Sequence, residues 1–154
     1  MAAPAGKKKY DGRMKRTASA HWAGDLKTGQ GTVSTASGVL KESQYSFSTR
    51  FADGIGTNPE ELIAAAHAGC FTMALSAELG KAGLTAESLD TNATLSLEKT
   101  GAGFTITAVH LDVKAKIPGA DKSKFDAAAE SAEKNCPVSR VLRAAITMTA
   151  SLEA

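Results

Sequence analysis

Residues 59–81, PEELIAAAHAGCFTMALSAELGK, read as one long helix with almost no polar face. Asn58 can cap it, Pro59 suits its first position, and Glu61 sits three residues after Asn58 as in a capping box. The helix should end near Lys81, at Gly80 or Gly83. Its uncharged stretch, Leu62 to Ala77, is 16 residues and is interrupted by His67 and Thr72. A membrane span needs ~20 apolar residues, so this run reads as a core helix instead. A helix that is apolar nearly all round must be covered on several sides. A chain of 154 residues has little to cover it with, which calls for a second subunit.

On either side of this helix the hydrophobic period is that of strands. Residues 17–24 and 32–37 alternate weakly, with Gly29 and Gly31 at the turn between them. Tyr45 to Phe51 (YSFSTRF) alternates aromatic and polar residues and reads as a half-buried strand closing a small meander. Beyond the long helix, 84–99 and 104–117 read as two strands joined by a hairpin turn at Gly101-Ala102-Gly103. Lys122 to Lys134 reads as a second helix with Phe125, Ala128, Ala129 and Ala132 on one face. Asn135-Cys136-Pro137 breaks it, a short helical piece follows over 138–142, and 145–152 is a last strand. The pattern is α+β. Residues 1–18 read as a basic flexible arm and 19–154 as a single domain.

Composition excludes several classes. Two cysteines cannot make a disulfide-dense secreted scaffold or a four-thiolate zinc site, and three scattered histidines do not suggest a metal centre. The amino terminus carries basic residues with no apolar stretch after them, so it does not read as a secretory leader. A cytoplasmic protein with reduced thiols is the expectation. Six basic residues lie among the first 16 against Asp11 alone, a net +5 in a chain whose total is +2. Such an arm could touch nucleic acid, but with Tyr10 as its one aromatic it reads as a solvated terminus.

The two thiols stand in different settings. Cys136 precedes Pro137, where it can cap the short helix that follows, and a thiol at a helix amino terminus is acidified. Cys70 lies three turns into the long helix, beyond useful reach of its dipole and among Ala68, Gly69, Phe71 and Met73. Burial there would raise its pKa, so it can be a nucleophile only if a cation reaches it. Arg50, on the strand before the helix, is the candidate cation. His67, one turn before Cys70, is either a base or a packed helix histidine. Glu60 favours the first helical turn, yet ten residues separate it from Cys70, about 15 Å along the axis. A shared site therefore needs either a long Arg between them or a Glu60 from another chain.

At these residues the chain resembles a known family. TNPEELIAAAHAGCFTMAL (57–75) and NCPVSRVL (135–142) are similar to the two cysteine motifs of the osmotically inducible protein C / organic hydroperoxide resistance (OsmC/Ohr) family. AHWAGDLKTGQGTVST (20–35) and FSTRFADGIGTNPEEL (47–62) look like its osmotically inducible branch. The resemblance runs from about Ser19 to the end and leaves only the arm outside.

It implies an OsmC-like fold, with antiparallel sheets wrapped around two central helices in an intertwined homodimer whose sites lie at the subunit interface. It implies a thiol peroxidase for organic hydroperoxides, with Cys70 peroxidatic, Cys136 resolving, Arg50 activating and Glu60 holding Arg50. That overrules the local ranking of Cys136 as the more acidic thiol. It also implies a Cys70–Cys136 disulfide reduced by a dithiol on a lipoyl-bearing protein, with no metal and no organic cofactor. Phe71, Met73 and Leu75 are candidate apolar walls for an alkyl chain. The rivals are a non-catalytic dimer binding an apolar ligand, an anionic-surface binder acting through the arm, and a general disulfide exchanger, which lacks the expected close cysteine pair.

Overall fold

The computed structural model describes residues 11–154. The first ten, with Lys7, Lys8 and Lys9 of the basic arm, lie outside the described residues. The chain forms two units, one ending at Thr57 and one from Asn58 to Ala154.

In the first unit, β1 (Ala18–Ala23), β2 (Gln30–Thr35) and β3 (Ser43–Tyr45) form an antiparallel sheet in that order. Gly31 pairs with both Trp22 and Tyr45, whose rings lie 5.5 Å apart. A Cβ on Gly31 would come within 2.5 Å of the Tyr45 ring and 2.6 Å of the Trp22 ring, so only glycine fits between them. The strand expected over Tyr45–Phe51 is not there. β3 stops at Tyr45, and Phe47–Phe51 is a short helix, α1. The cause is local capping. The Ser46 hydroxyl accepts from the Thr49 amide while the Ser46 amide donates to the Thr49 hydroxyl at 2.8 Å. The aromatic alternation then coincides with helical contact, as Phe47 and Phe51 stack at 4.8 Å, one turn apart.

The second unit opens with helix α2 (Pro59–Lys81), whose bounds agree with the sequence reading. The Asn58 side chain accepts from the Glu61 amide at 2.8 Å. At the other end Leu84 N–H donates to Leu79 C=O and Gly83 N–H to Gly80 C=O, with Gly83 at φ +75°. This six-to-one plus five-to-two pattern closes the helix through a left-handed glycine. The interrupting Thr72 is satisfied, its hydroxyl lying 2.7 Å from the Ala68 carbonyl and 2.8 Å from the Thr91 hydroxyl of the next strand.

Strands β4 (Ser88–Thr100) and β5 (Gly103–Lys116) make the long hairpin, with a bulge at Ser96/Leu97. Helices α3 (Lys122–Asn135) and α4 (Pro137–Val141) lead to β6 (Ala145–Glu153). The resulting sheet, β4-β5-β6, is mixed: β6 pairs with β5 in parallel, against the expectation of antiparallel sheets throughout. Two helices between the strands form a crossover that returns the chain to the same end of the sheet.

Alternation puts Val109, Leu111, Val113 and Ala115 of β5 inward, against Phe71, Leu75 and Leu79 of α2 and Phe125, Ala128, Ala129 and Ala132 of α3. Each fully buried large side chain contributes ~1.5–3 kcal/mol relative to exposure. By length and composition α2 could cross a bilayer. Here one of its faces packs in a core while Ala65, Ala66, Gly69, Met73 and Ala77 stay exposed within the chain.

Candidate functional site: a paired thiol on α2 and α4

Cys70 is carried by the middle of α2, and Cys136 sits where α3 ends and α4 begins. The break is made by Pro137, which occupies the first position of α4 and leaves Cys136 at ψ 123°. Folding brings these residues, 66 positions apart, to a sulfur–sulfur distance of 3.0 Å, both as free thiols. Cys136 is fully buried and Cys70 partly so.

Their electrostatics differ. Burial pushes the Cys70 thiol up, as does its contact with Cys136, and the Val138 amide only partly opposes this. Burial also works against a thiolate at Cys136, but there it loses. The contact with Cys70, together with Ser139 and the Val138 amide, brings the Cys136 thiol below its ordinary value. The two sulfurs thus act as one coupled pair, with one thiol shifted up and the other down.

His67 is fully buried one turn before Cys70, and its Nε2 lies 2.7 Å from the Ser139 hydroxyl. Burial lowers its pKa, which keeps the ring neutral. Its partner is thus Ser139 on α4. Sequence reasoning passed over Ser139. No local signal marks it, because its partner lies 72 residues away on α2.

Glu60 lies in the first turn of α2, as expected. Arg50 belongs to the first unit, in the last turn of α1 rather than on a strand. Its guanidinium lies 5.2 Å from the centre of the Phe51 ring. It borders a cavity of about 280 Å³ lined also by Trp22, Leu26, Tyr45, Phe47 and Phe51. Phe71 and Leu75 do not serve as open walls, because both are fully buried in the core, whereas Met73 is 77% exposed. Among the described residues no cluster of His, Cys, Asp and Glu could hold a metal ion.

An α+β fold that brings together one thiol in a long helix and one at a helix break defines a class of two-cysteine proteins. The family model for OsmC-like protein matches residues 52–151. The chain is 55% identical to the peroxiredoxin OsmC of Escherichia coli (strain K12) over 134 residues, 87% of this chain and 94% of that one. It is 32% identical over 103 residues to an organic hydroperoxide resistance protein of Xanthomonas axonopodis pv. citri, covering 66% of this chain and 70% of that one. In fold it resembles an OsmC-like protein of Vibrio cholerae, with a TM-score of 0.73 at 16% identity over 90% of this chain and 100% of that one. This chain belongs to the OsmC-like family.

Proposed function

We propose that this protein is a cysteine-based peroxidase that reduces organic hydroperoxides to alcohols in oxidative stress defence. The observation that carries the reading is the pair of free thiols 3.0 Å apart. The names of its relatives, a peroxiredoxin and an organic hydroperoxide resistance protein, support the same class of reaction.

In the proposed cycle the Cys70 thiolate attacks the terminal peroxide oxygen. The O–O bond breaks, an alkoxide leaves and takes a proton, and Cys70 becomes a sulfenic acid. Cys136 then attacks the sulfenic sulfur, hydroxide leaves as water, and a Cys70–Cys136 disulfide forms. A dithiol, which we assign to a lipoyl-bearing protein, returns both cysteines to thiols. Since burial raises the Cys70 pKa, the cycle needs a cation at the peroxide step. We assign that role to Arg50, with Glu60 fixing its guanidinium, and the developing charge on the leaving oxygen would be stabilised by the same group. The exposed apolar face of α2 supports a homodimer in which a second copy covers it. The need for thiols reduced at rest favours a cytoplasmic setting.

The test is peroxide consumption with dihydrolipoamide as reductant, comparing cumene hydroperoxide with hydrogen peroxide and wild type with Cys70→Ser. Turnover that favours the organic peroxide and is lost in the variant is the expected result. Equal, negligible consumption by both proteins would overturn the reading in favour of a ligand-binding dimer.

A further inference from the structure

Two contacts tie α2 to the start of α4, and they match in spacing. His67 Nε2 lies 2.7 Å from the Ser139 hydroxyl, and Cys70 Sγ lies 3.0 Å from Cys136 Sγ. His67 and Cys70 are three residues apart on α2. Cys136 and Ser139 are also three apart, and they meet their partners in the opposite order. The pairs are therefore rungs of one antiparallel contact, about 4.5 Å apart along α2. One rung alone would let the shorter element pivot about it. Two rungs fix both where α4 stands and how it is turned.

Little else holds α4 in place. It has five residues, none of them fully buried, and Val138 and the flanking Leu142 reach the core only in part. His67, by contrast, is fully buried, and its Nδ1 has no hydrogen-bond partner among the described residues. An apolar side chain would fill that position without the cost of burying a ring nitrogen. What the histidine adds is its bond to Ser139. That bond forms with either tautomer, because a hydroxyl both donates and accepts.

We propose that the His67–Ser139 hydrogen bond is a register clamp that holds Cys136 at closing distance from Cys70. Both are positioning residues. They set one sulfur against the other and take no part in the exchange of bonds. With the clamp in place, α4 is already ordered against α2 when the disulfide closes. Without it, the new S–S bond must itself immobilise α4, and the effective concentration of one thiol at the other falls. The assignment deepens the proposed function and rests on the resolving role given there to Cys136.

The clamp can be tested without any peroxide, by equilibrating the full protein with reduced and oxidised glutathione. One protein thiolate attacks the glutathione disulfide, releasing one glutathione and leaving a mixed disulfide. The other cysteine attacks the protein sulfur of that bond, and the second glutathione leaves. Two electrons and two protons pass from the protein dithiol to the reagent. Ser139→Ala and His67→Leu should each lower the equilibrium constant for closure roughly three- to tenfold, the size expected for one hydrogen bond. The double variant should fall no further than the weaker single variant, because both substitutions remove the same bond.

His67→Gln places an amide N–H near the position of Nε2, and Ser139→Thr keeps the hydroxyl. Both should return the constant to within about twofold of wild type. If His67 served packing alone, Leu would do better than Gln and the two losses would add. Wild-type constants in folded Ser139→Ala and His67→Leu would overturn the clamp. So would losses that add in the double variant, or a His67→Gln constant as low as that of His67→Leu. A wild type that closes its disulfide but does not consume cumene hydroperoxide would remove the peroxidase reading and leave the clamp standing. A wild type that consumes the peroxide, with variants unchanged in closure, would remove the clamp alone.

Discussion

Cys136 Sγ lies 3.0 Å from Cys70 Sγ, although one sulfur belongs to the centre of a 23-residue helix and the other to a break between two helices. A disulfide bond is about 2.05 Å long, so closing the pair needs a movement of roughly 1 Å.

The oxidised protein should therefore be more stable than the reduced one. Closing a loop of 66 residues constrains the unfolded chain by roughly 4 kcal/mol in the entropy model. In a chain of this size each kcal/mol is worth about 2–4 °C, so oxidation should raise the melting temperature by about 10 °C. Calorimetry of the oxidised and reduced forms measures this directly, and identical melting would mean that the bond strains the native fold.

The coupled thiol pair should titrate in two steps on opposite sides of the ordinary thiol value of 9.0. Thiolate absorbance followed against pH should show two separated steps in wild type. The sign for stability follows from the same shifts. A lowered acid releases its proton in the folded state first, so the reduced protein gains stability as pH rises from the Cys136 pKa towards 9.0. That contribution is lost as pH falls through the folded Cys136 pKa. Above 9.0 the raised Cys70 works in the other direction. Urea midpoints of the reduced protein across this range should pass through a maximum near 9.0, whereas Cys136→Ser should lose the rising limb.

Gly31→Ala should damage the first unit. The new methyl would meet ring carbons of Tyr45 at 2.5 Å and Trp22 at 2.6 Å, and the His21 carbonyl at 2.9 Å. Forcing such groups apart typically costs ~1–3 kcal/mol. Trp22 is the chain's only tryptophan, so its emission reports the change without a label. The variant should show shifted fluorescence and faster proteolysis in the segment ending at Thr57. Because Trp22 and Tyr45 also border the cavity beside Arg50, loss of hydroperoxide turnover should accompany it under the proposed function.

Met73→Asp should separate the proposed homodimer. Met73 is 77% exposed on α2 in the single chain, on the face with Gly69, Ala65 and Ala66. A buried, unpaired carboxylate would cost several kcal/mol at an interface and nothing comparable on a monomer. Sedimentation should give a dimer for wild type and a monomer for the variant. A monomeric wild type would remove the proposed role for this face.

Much of the fold was legible locally. The bounds of α2 follow from Asn58, Pro59 and Gly83, because caps and left-handed glycines act within a few residues of themselves. The hairpin at Gly101–Gly103 and the break at Cys136-Pro137 were readable for the same reason. The alternation over Tyr45–Phe51 misled, because two aromatics four residues apart suit a strand face and a helix turn alike. Ser46 and Thr49 decided between them by hydrogen bonding.

By itself the sequence determined the helices α2, α3 and α4, the hairpin and the contrast between a mid-helix thiol and a thiol at a proline break, all of which arise from interactions between near neighbours. Only the tertiary structure decided that β6 joins β5 in parallel, that the two sulfurs meet, and that Ser139 lies against His67 72 residues away. Those contacts depend on how α3 and α4 pack back onto α2 and the sheet. Packing follows the summed burial of Phe71, Leu75, Phe125 and the inward face of β5, a quantity that no short stretch of residues contains.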